Sequence, residues 1–335
     1  MPPREWYFRE DLGVRNLRDG SIIYYDPEPN NGPVDHGYEL SNANTGLFYN
    51  GIAEGNLETR PGGTFAEDGL VLEGYKFTSR VNLAGEGQVL RDCLWTPQGE
   101  NTIALEIQPG AVGCEVEGIT IRPPEGVSAY VGILNQGYQT IIRRPHVMRC
   151  ENAFTAAGDE WQLIEPFFEQ PSAASNPGGH RDLVEVYAGD GWVIERGRLV
   201  HDDGETSPLN FAPWGGGEIH GGRVTKCFVD GGIYHSIVDG QPVEGHTELE
   251  IVTGVQYDGN WLGGHTFPGY TRYWALHNPD EGREVVHSLA DQASDPSAVL
   301  WVIDDRDGFE PNMWKDCYGL TPNRSDTVVM LNETT

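Results

Sequence analysis

Short apolar segments that each run into a glycine recur through the middle of this chain, and their spacing constrains its fold more than any other feature. They read Thr102-Ile-Ala-Leu-Glu-Ile-Gln-Pro-Gly110, Tyr130-Val-Gly-Ile-Leu-Asn-Gln-Gly137 and Glu151-Asn-Ala-Phe-Thr-Ala-Ala-Gly158. Three more follow: Asp182-Leu-Val-Glu-Val-Tyr-Ala-Gly189, Ser207-Pro-Leu-Asn-Phe-Ala-Pro-Trp-Gly215 and Tyr234-His-Ser-Ile-Val-Asp-Gly240. The closing glycines stand 27, 21, 31, 26 and 25 residues apart. After each glycine a second kind of segment begins, as in Cys114-Glu-Val-Glu-Gly-Ile-Thr-Ile121, Thr140-Ile-Ile-Arg-Arg-Pro-His-Val147 and Trp192-Val-Ile-Glu-Arg-Gly-Arg-Leu199. Most of these set Gly or Pro between two apolar positions. Gly accepts positive φ and Pro tolerates a lost amide donor, which suits a bend from one sheet face to the next.

A coil of this length can circle a narrow core with three short strands and return one strand spacing, ~4.8 Å, higher. Strands stacked this way pair in parallel, and each coil buries its apolar side only because neighbours exist. Helical periodicity is nearly absent, which argues against βαβ units. A β-sandwich would show hairpin signals every 8–12 residues, and the longer period fits it poorly. The reading is therefore all-β: a single-stranded right-handed parallel β-helix, a solenoid of about nine coils over residues 61–335. Residues 1–60 differ, with Trp6, Tyr7, Phe8 and Ser21-Ile-Ile-Tyr-Tyr25 set among Gly, Asn and Pro turns. They are expected to form a small N-terminal anchoring or capping segment, because an open solenoid end needs cover.

Charge narrows the partners. The chain carries 51 acids against 22 bases, a net −29, and of the bases only Lys76, Lys226 and Lys315 are lysine. Repulsion within such a body is screened best at high ionic strength, where the Debye length falls to about 3 Å at 1 M salt. The acidic, lysine-poor composition resembles that of salt-in halophilic archaea and their viruses. Nucleic acid is disfavoured as a partner, since phosphate contacts need clustered positive charge and no basic cluster exceeds Arg143–Arg144.

Cys93, Cys114, Cys150, Cys227 and Cys317 form no CxxC pair and no Cys/His spacing suited to zinc. They read as small hydrophobes buried in strands, and neither a metal site nor a cofactor is expected. The first residues lack the basic and apolar regions of a signal peptide, and no run of about 20 apolar residues offers a membrane span. The expectation is a protein folded in the cytoplasm with no membrane insertion.

One segment carries a family resemblance. Pro61-Gly-Gly-Thr-Phe65, Gly69-Leu-Val-Leu72 and Val81-Asn-Leu-Ala-Gly-Glu-Gly-Gln-Val89 resemble the opening coils of the pectate-lyase-like superfamily. Those coils commonly read Pro-x-Gly-Thr-aromatic, an apolar strand, then Leu-x-Gly-x-Gly. The resemblance implies a β-helix. The superfamily holds polysaccharide lyases, polygalacturonases and many tailspikes and fibres of tailed viruses.

A polysaccharide-cleaving site on such a scaffold would need carboxylates stacked along one edge, paired about 5–9.5 Å apart in a hydrolase. The loop after Phe168 carries His180 and Asp182, and the loop one coil on carries Asp202, Asp203 and Glu205, so these are the catalytic candidates. The polygalacturonase pattern of Asn-Thr-Asp, Asp-Asp and Gly-His-Gly is incomplete. Asp202-Asp203 lacks the first element, and Gly245-His-Thr247 and Gly264-His-Thr266 lack the last glycine. Asp304-Asp-Arg-Asp-Gly308 lacks the ligand spacing of a calcium loop. An aromatic-rich insertion is expected around 256–284, where six aromatics fall within 18 residues. Of these, Trp261, Tyr270, Tyr273 and Trp274 are candidates for glycan or protein contact.

A β-helix with acidic, lysine-poor composition, no secretion signal and no complete catalytic pattern is expected to be a structural virion protein of a tailed virus of a halophilic archaeon: a spike, tail fibre or turret subunit. Its expected partners are further copies of itself, as a homotrimer by analogy with tailspikes, other virion proteins through residues 1–60, and host-surface glycan or S-layer. The alternatives are a glycan-degrading tailspike, acting as lyase or glycoside hydrolase, and a cellular haloarchaeal β-helix protein.

Overall fold

A computed structural model of the chain describes residues 13–15, 22–24, 40–96, 102–127, 129–169, 181–201, 207–213, 217–232, 236–239, 251–253, 255–258, 260–262, 272–278, 283–288, 313–315, 317–320 and 327–331. Among these residues strands dominate, and they stack into three long, mainly parallel sheets. One has nine strands, beginning with Val71–Glu73, Val89–Arg91, Glu115–Glu117 and Ile141–Arg143 and ending at Met313–Lys315. Another has ten and includes Ile103–Ile107, Ala129–Asn135, Cys150–Ala156, Val184–Val186 and Leu209–Phe211. The third has thirteen and includes Leu94–Trp95, Thr120–Ile121, His146–Met148, Phe167–Glu169 and Arg198–His201. The chain visits all three in turn and then rises one strand. This is the parallel β-helix that the repeat predicts.

Three-residue strands explain the apolar spacing. In the nine-stranded sheet the central residue of each strand points inward, so Leu72, Leu90, Val116, Ile142, Leu163, Ile194 and Val224 stack in register as one column of the core. Rings fill the wider part of the interior. Phe154 packs on Trp161, Trp161 on Trp192 and Trp192 on Phe211, with centroids 5.1, 5.3 and 5.0 Å apart. Gly222 makes room for this column, since a Cβ there would lie 2.0 Å from the Trp192 indole.

The bends form two left-handed columns. Between the ten- and nine-stranded sheets stand Gly69, Gly87, Gly113, Gln139, Glu160, Gly191 and Gly221, all at positive φ. Between the nine- and thirteen-stranded sheets stand Gly74, Asp92, Gly118, Arg144, Glu165, Arg196 and Lys226. Here the structure departs from the Gly/Pro expectation. In three coils the residue at positive φ is the charged one just before the Gly or Pro: Arg144 before Pro145, Glu165 before Pro166 and Arg196 before Gly197. The strain is offset by stacking, because each such amide donates to the next coil, as Arg144 N does to Ile164 O at 2.8 Å and Glu165 N to Glu195 O at 2.8 Å. Arg144 and Arg196 also both pair with Glu165, at 2.5 and 3.1 Å.

The C-terminal part departs from a plain run of three-strand coils. Glu218–His220 and Ile251–Thr253 join Gly189–Asp190 in a small three-stranded sheet, and the strands that continue the nine-stranded sheet are Arg223–Thr225 and Gln256–Asp258. Arg283–Ser288 is an antiparallel hairpin partner of Arg272–Asn278, and Thr327–Leu331 pairs antiparallel with Cys317–Leu320. Strand-length apolar runs look alike in sequence whether they continue a coil or fold back as a hairpin.

Residues 40–57 form a strap along the flank of the solenoid. Arg198 Nη1 donates to Leu40 O, Gly46 N to Arg144 O, Leu47 N to Thr120 Oγ1 and Asn50 Nδ2 to Asp92 Oδ1, at 2.9, 2.9, 3.1 and 2.7 Å. Glu54 then meets Lys76 and Arg122, each at 2.7 Å. From Leu40 to Glu54 the contacts move from Arg198 down to Lys76, so the strap runs against the advance of the helix. Further upstream, Gly13–Arg15 pairs in parallel with Thr327–Leu331. The expected N-terminal segment thus adds a strand at the C-terminal end of the solenoid and then follows its side back to the first coil.

Candidate functional site

The outer face of the ten-stranded sheet carries the densest set of reactive groups. Strand alternation puts them there. Phe154 and Ala156, Val184 and Val186, and Leu209 and Phe211 point into the core. The residues between them, Thr155, Glu185 and Asn210, therefore point outward as one row in register. Further down the solenoid the same row holds Leu134 and Glu106, and Glu106 pairs with Arg80.

Glu185 is the centre of this row and is only 3% exposed. The Tyr187 hydroxyl donates to its Oε2 at 2.8 Å, and Asn152 Nδ2 donates to the same oxygen. Burial pushes the Glu185 carboxyl up to about 8, and the neighbouring Asp182 and Glu151 add to the shift. A carboxyl held protonated near neutral pH can donate a hydrogen bond or a proton. Asp182 is bonded differently: Ser207 N and Oγ donate to Oδ1 at 3.2 and 3.3 Å, and Asn210 Nδ2 donates to Oδ2 at 2.9 Å. Asn152 Oδ1 in turn accepts from the Asp182 amide at 3.1 Å, tying the two acids into one network.

Thr155 Oγ1 and Asn210 Oδ1 are buried on either side of Glu185 with no hydrogen-bond partner among the described residues. Tyr130 supplies the rim. Its ring is 42% exposed, and its hydroxyl is pushed up by burial and then by Glu185 and Glu151. Tyr187 is half-buried beside it, its hydroxyl raised by burial and by Glu185.

Of the sequence candidates, Asp182 belongs to this network and is fully buried. His180, Asp202, Asp203 and Glu205 lie outside the described residues, as does Tyr270. The bases of the two expected loops do meet: Ser207 bonds Asp182, and His201 Nε2 bonds Arg181 O. Trp261 stands in Trp261–Leu262 of the thirteen-stranded sheet, while Tyr273 and Trp274 stand in Arg272–Asn278 of the ten-stranded sheet. The segment 256–278 thus contributes strands to all three sheets. Glu185 and Tyr187 were missed by sequence reasoning. The available signal was an acid between two valines in Val184-Glu-Val186, an interior-type strand with one outward charge.

Fold and network together define a parallel β-helix protein with a buried acid–amide row on one sheet face. No known protein-family profile matches the sequence, and no curated protein matches it. Among solved structures it is similar to the Dettilon tailspike protein, at 14% identity and a TM-score of 0.36, over 61% of this chain and 48% of that one. The chain thus spans about half the length of that tailspike. Among the described residues no helix is long and apolar enough to cross a membrane.

Proposed function

We propose that this chain is a virion surface protein, a spike, tail fibre or turret subunit, of a tailed virus of a halophilic archaeon, and that it contacts glycan of the host surface layer. The observation that carries the glycan contact is Tyr130, an exposed ring set beside the carboxyl, amide and hydroxyl groups around Glu185. Sugars are bound by that combination of a stacking face and convergent hydrogen-bonding groups. The halophile assignment rests on a net charge of −29 with three lysines. Copies of the chain assemble, with a homotrimer as the expected form. The end where Gly13–Arg15 pairs with Thr327–Leu331 faces the virion, leaving the first coils as the distal end.

A second reading is favoured by the geometry at Glu185, a carboxyl 3% exposed that Tyr187 and Asn152 bond and that Asn152 ties to Asp182, and burial there pushes its titration up. That pairing suits a glycan-cleaving spike in which Glu185 serves as proton donor. Incubating the purified protein with haloarchaeal surface glycan separates the two. Binding without release of oligosaccharides supports a structural adhesin. Release that Glu185→Gln abolishes supports cleavage. Neither binding nor release from any haloarchaeal glycan would overturn both.

A further inference from the structure

Each of the three long sheets has an outward face, and on two of them part of the outward row is buried. On the thirteen-stranded sheet the strap seals Thr120 and His146, both 2% exposed. On the ten-stranded sheet Thr155, Glu185 and Asn210 are buried. The nine-stranded sheet is different. Its outward residues stand in two rows, one running Val71, Val89, Glu115, Ile141, Gln162, Val193, Arg223 and the other Glu73, Arg91, Glu117, Arg143, Ile164, Glu195, Thr225. Of these fourteen only Thr225 is buried, and Val71 is 54% exposed.

The charge on this face is unlike that of the chain. Glu73, Arg91, Glu117 and Arg143 follow one another in register, acid and base alternating. The two rows together hold four acids, Glu73, Glu115, Glu117 and Glu195, and three bases, Arg91, Arg143 and Arg223. The whole chain has 51 acids and 22 bases. A nearly charge-balanced strip dotted with Val71, Val89, Ile141, Ile164 and Val193 is where such a polyanion can meet its own kind with little like-charge repulsion.

We propose that the outer face of the nine-stranded sheet is the surface through which a second copy of this chain packs. Nine strands at ~4.8 Å give a strip about 38 Å long and roughly 15 Å wide, on the order of 600 Å² a side, the lower bound for a specific interface. The apolar residues supply contact area, and the alternating ladder sets the register between copies. The inference rests on the self-association in the reading above and is independent of glycan contact.

The test is the mass in solution, by sedimentation equilibrium in ~2 M salt, of the full chain, of Ile141→Glu with Val193→Glu, and of Arg143→Glu. The wild type should sediment as an oligomer and the double variant as a monomer, with Arg143→Glu shifting the midpoint of dissociation at least tenfold in concentration. Tyr130→Ala, on the ten-stranded sheet, should leave the mass unchanged. Circular dichroism matching the wild type confirms that each variant is folded. Should the double variant fail to fold, Arg143→Glu, at an exposed position, carries the test alone. An oligomer untouched by these substitutions overturns the assigned face and leaves self-association standing. A wild-type monomer across the concentration range overturns both.

Discussion

Trp161 and Trp192 stack face to face inside the solenoid, their ring centroids 5.3 Å apart and their planes 7° from parallel. Both indoles are fully buried, and neither ring nitrogen has a hydrogen-bond partner among the described residues. Trp192→Ala should therefore cost about 3–5 kcal/mol through the cavity it leaves. Trp192→Phe should cost clearly less, since it removes an unpaired buried N–H along with part of the ring. Denaturant titrations followed by circular dichroism measure both. A Trp192→Phe loss as large as that of Trp192→Ala would contradict this.

Stability should depend on pH through Glu185. Its carboxyl is raised in the fold to about 8 from an ordinary value near 4.5, so between these values folding takes up a proton. This contribution is full below the unfolded value and is lost as pH rises through the folded one, at up to ~1.4 kcal/mol per pH unit. Glu185→Gln, which cannot ionise, should gain on the wild type steadily from about pH 4.5 to 8 and hold a constant margin above. Paired melting curves across that range check the sign. A margin that does not change with pH would mean that Glu185 titrates normally.

The strap depends on a close approach at Gly46 and on the hydrogen bond from Leu47 to Thr120. Gly46 has φ +56°, and a Cβ on it would lie 2.2 Å from Thr120 Oγ1, the acceptor for the Leu47 amide. Thr120→Val should cost about 1–3 kcal/mol by leaving that amide buried without a partner. Gly46→Ala combines a clash with an unfavourable φ and should release the strap further. Limited proteolysis within residues 40–57 should accelerate in both variants, with Gly46→Ala the faster.

Cys93, Cys114, Cys150 and Cys227 are buried and unbridged. Burial pushes the Cys93 thiol up to about 12 and raises Cys114 and Cys150 as well. Thiolate is the reactive form. All four should resist alkylation at pH 8 in the native protein and react together on unfolding, as mass spectrometry of the labelled peptides would show.

The solenoid was legible because its repeat is local: an apolar triplet, a bend and a glycine recur whether or not the neighbouring coil is seen. The charged residues at the bends were not, since Arg144, Glu165 and Arg196 adopt positive φ only because the coils above and below hold their amides. Asp182 was singled out as one acid of a catalytic edge, and its buried bonds to Ser207 and Asn210 depend on strands 25 and 28 residues away. Glu185 stood unnoticed between two valines, because its significance comes from burial and from Asn152, a coil away. The path of residues 40–57 had no sequence signal, being fixed by scattered contacts to side chains and carbonyls of five coils, from Arg198 to Lys76.

The account turns on glycan contact at the face that Tyr130 rims. Its most direct test is a binding isotherm of the purified protein on haloarchaeal cell envelopes in ~2 M salt, wild type against Tyr130→Ala, with oligosaccharides released from those envelopes as competitor. The account predicts saturable binding that the oligosaccharides displace and that Tyr130→Ala weakens at least tenfold with the fold unchanged. Binding that is indifferent to both the competitor and the substitution would contradict it.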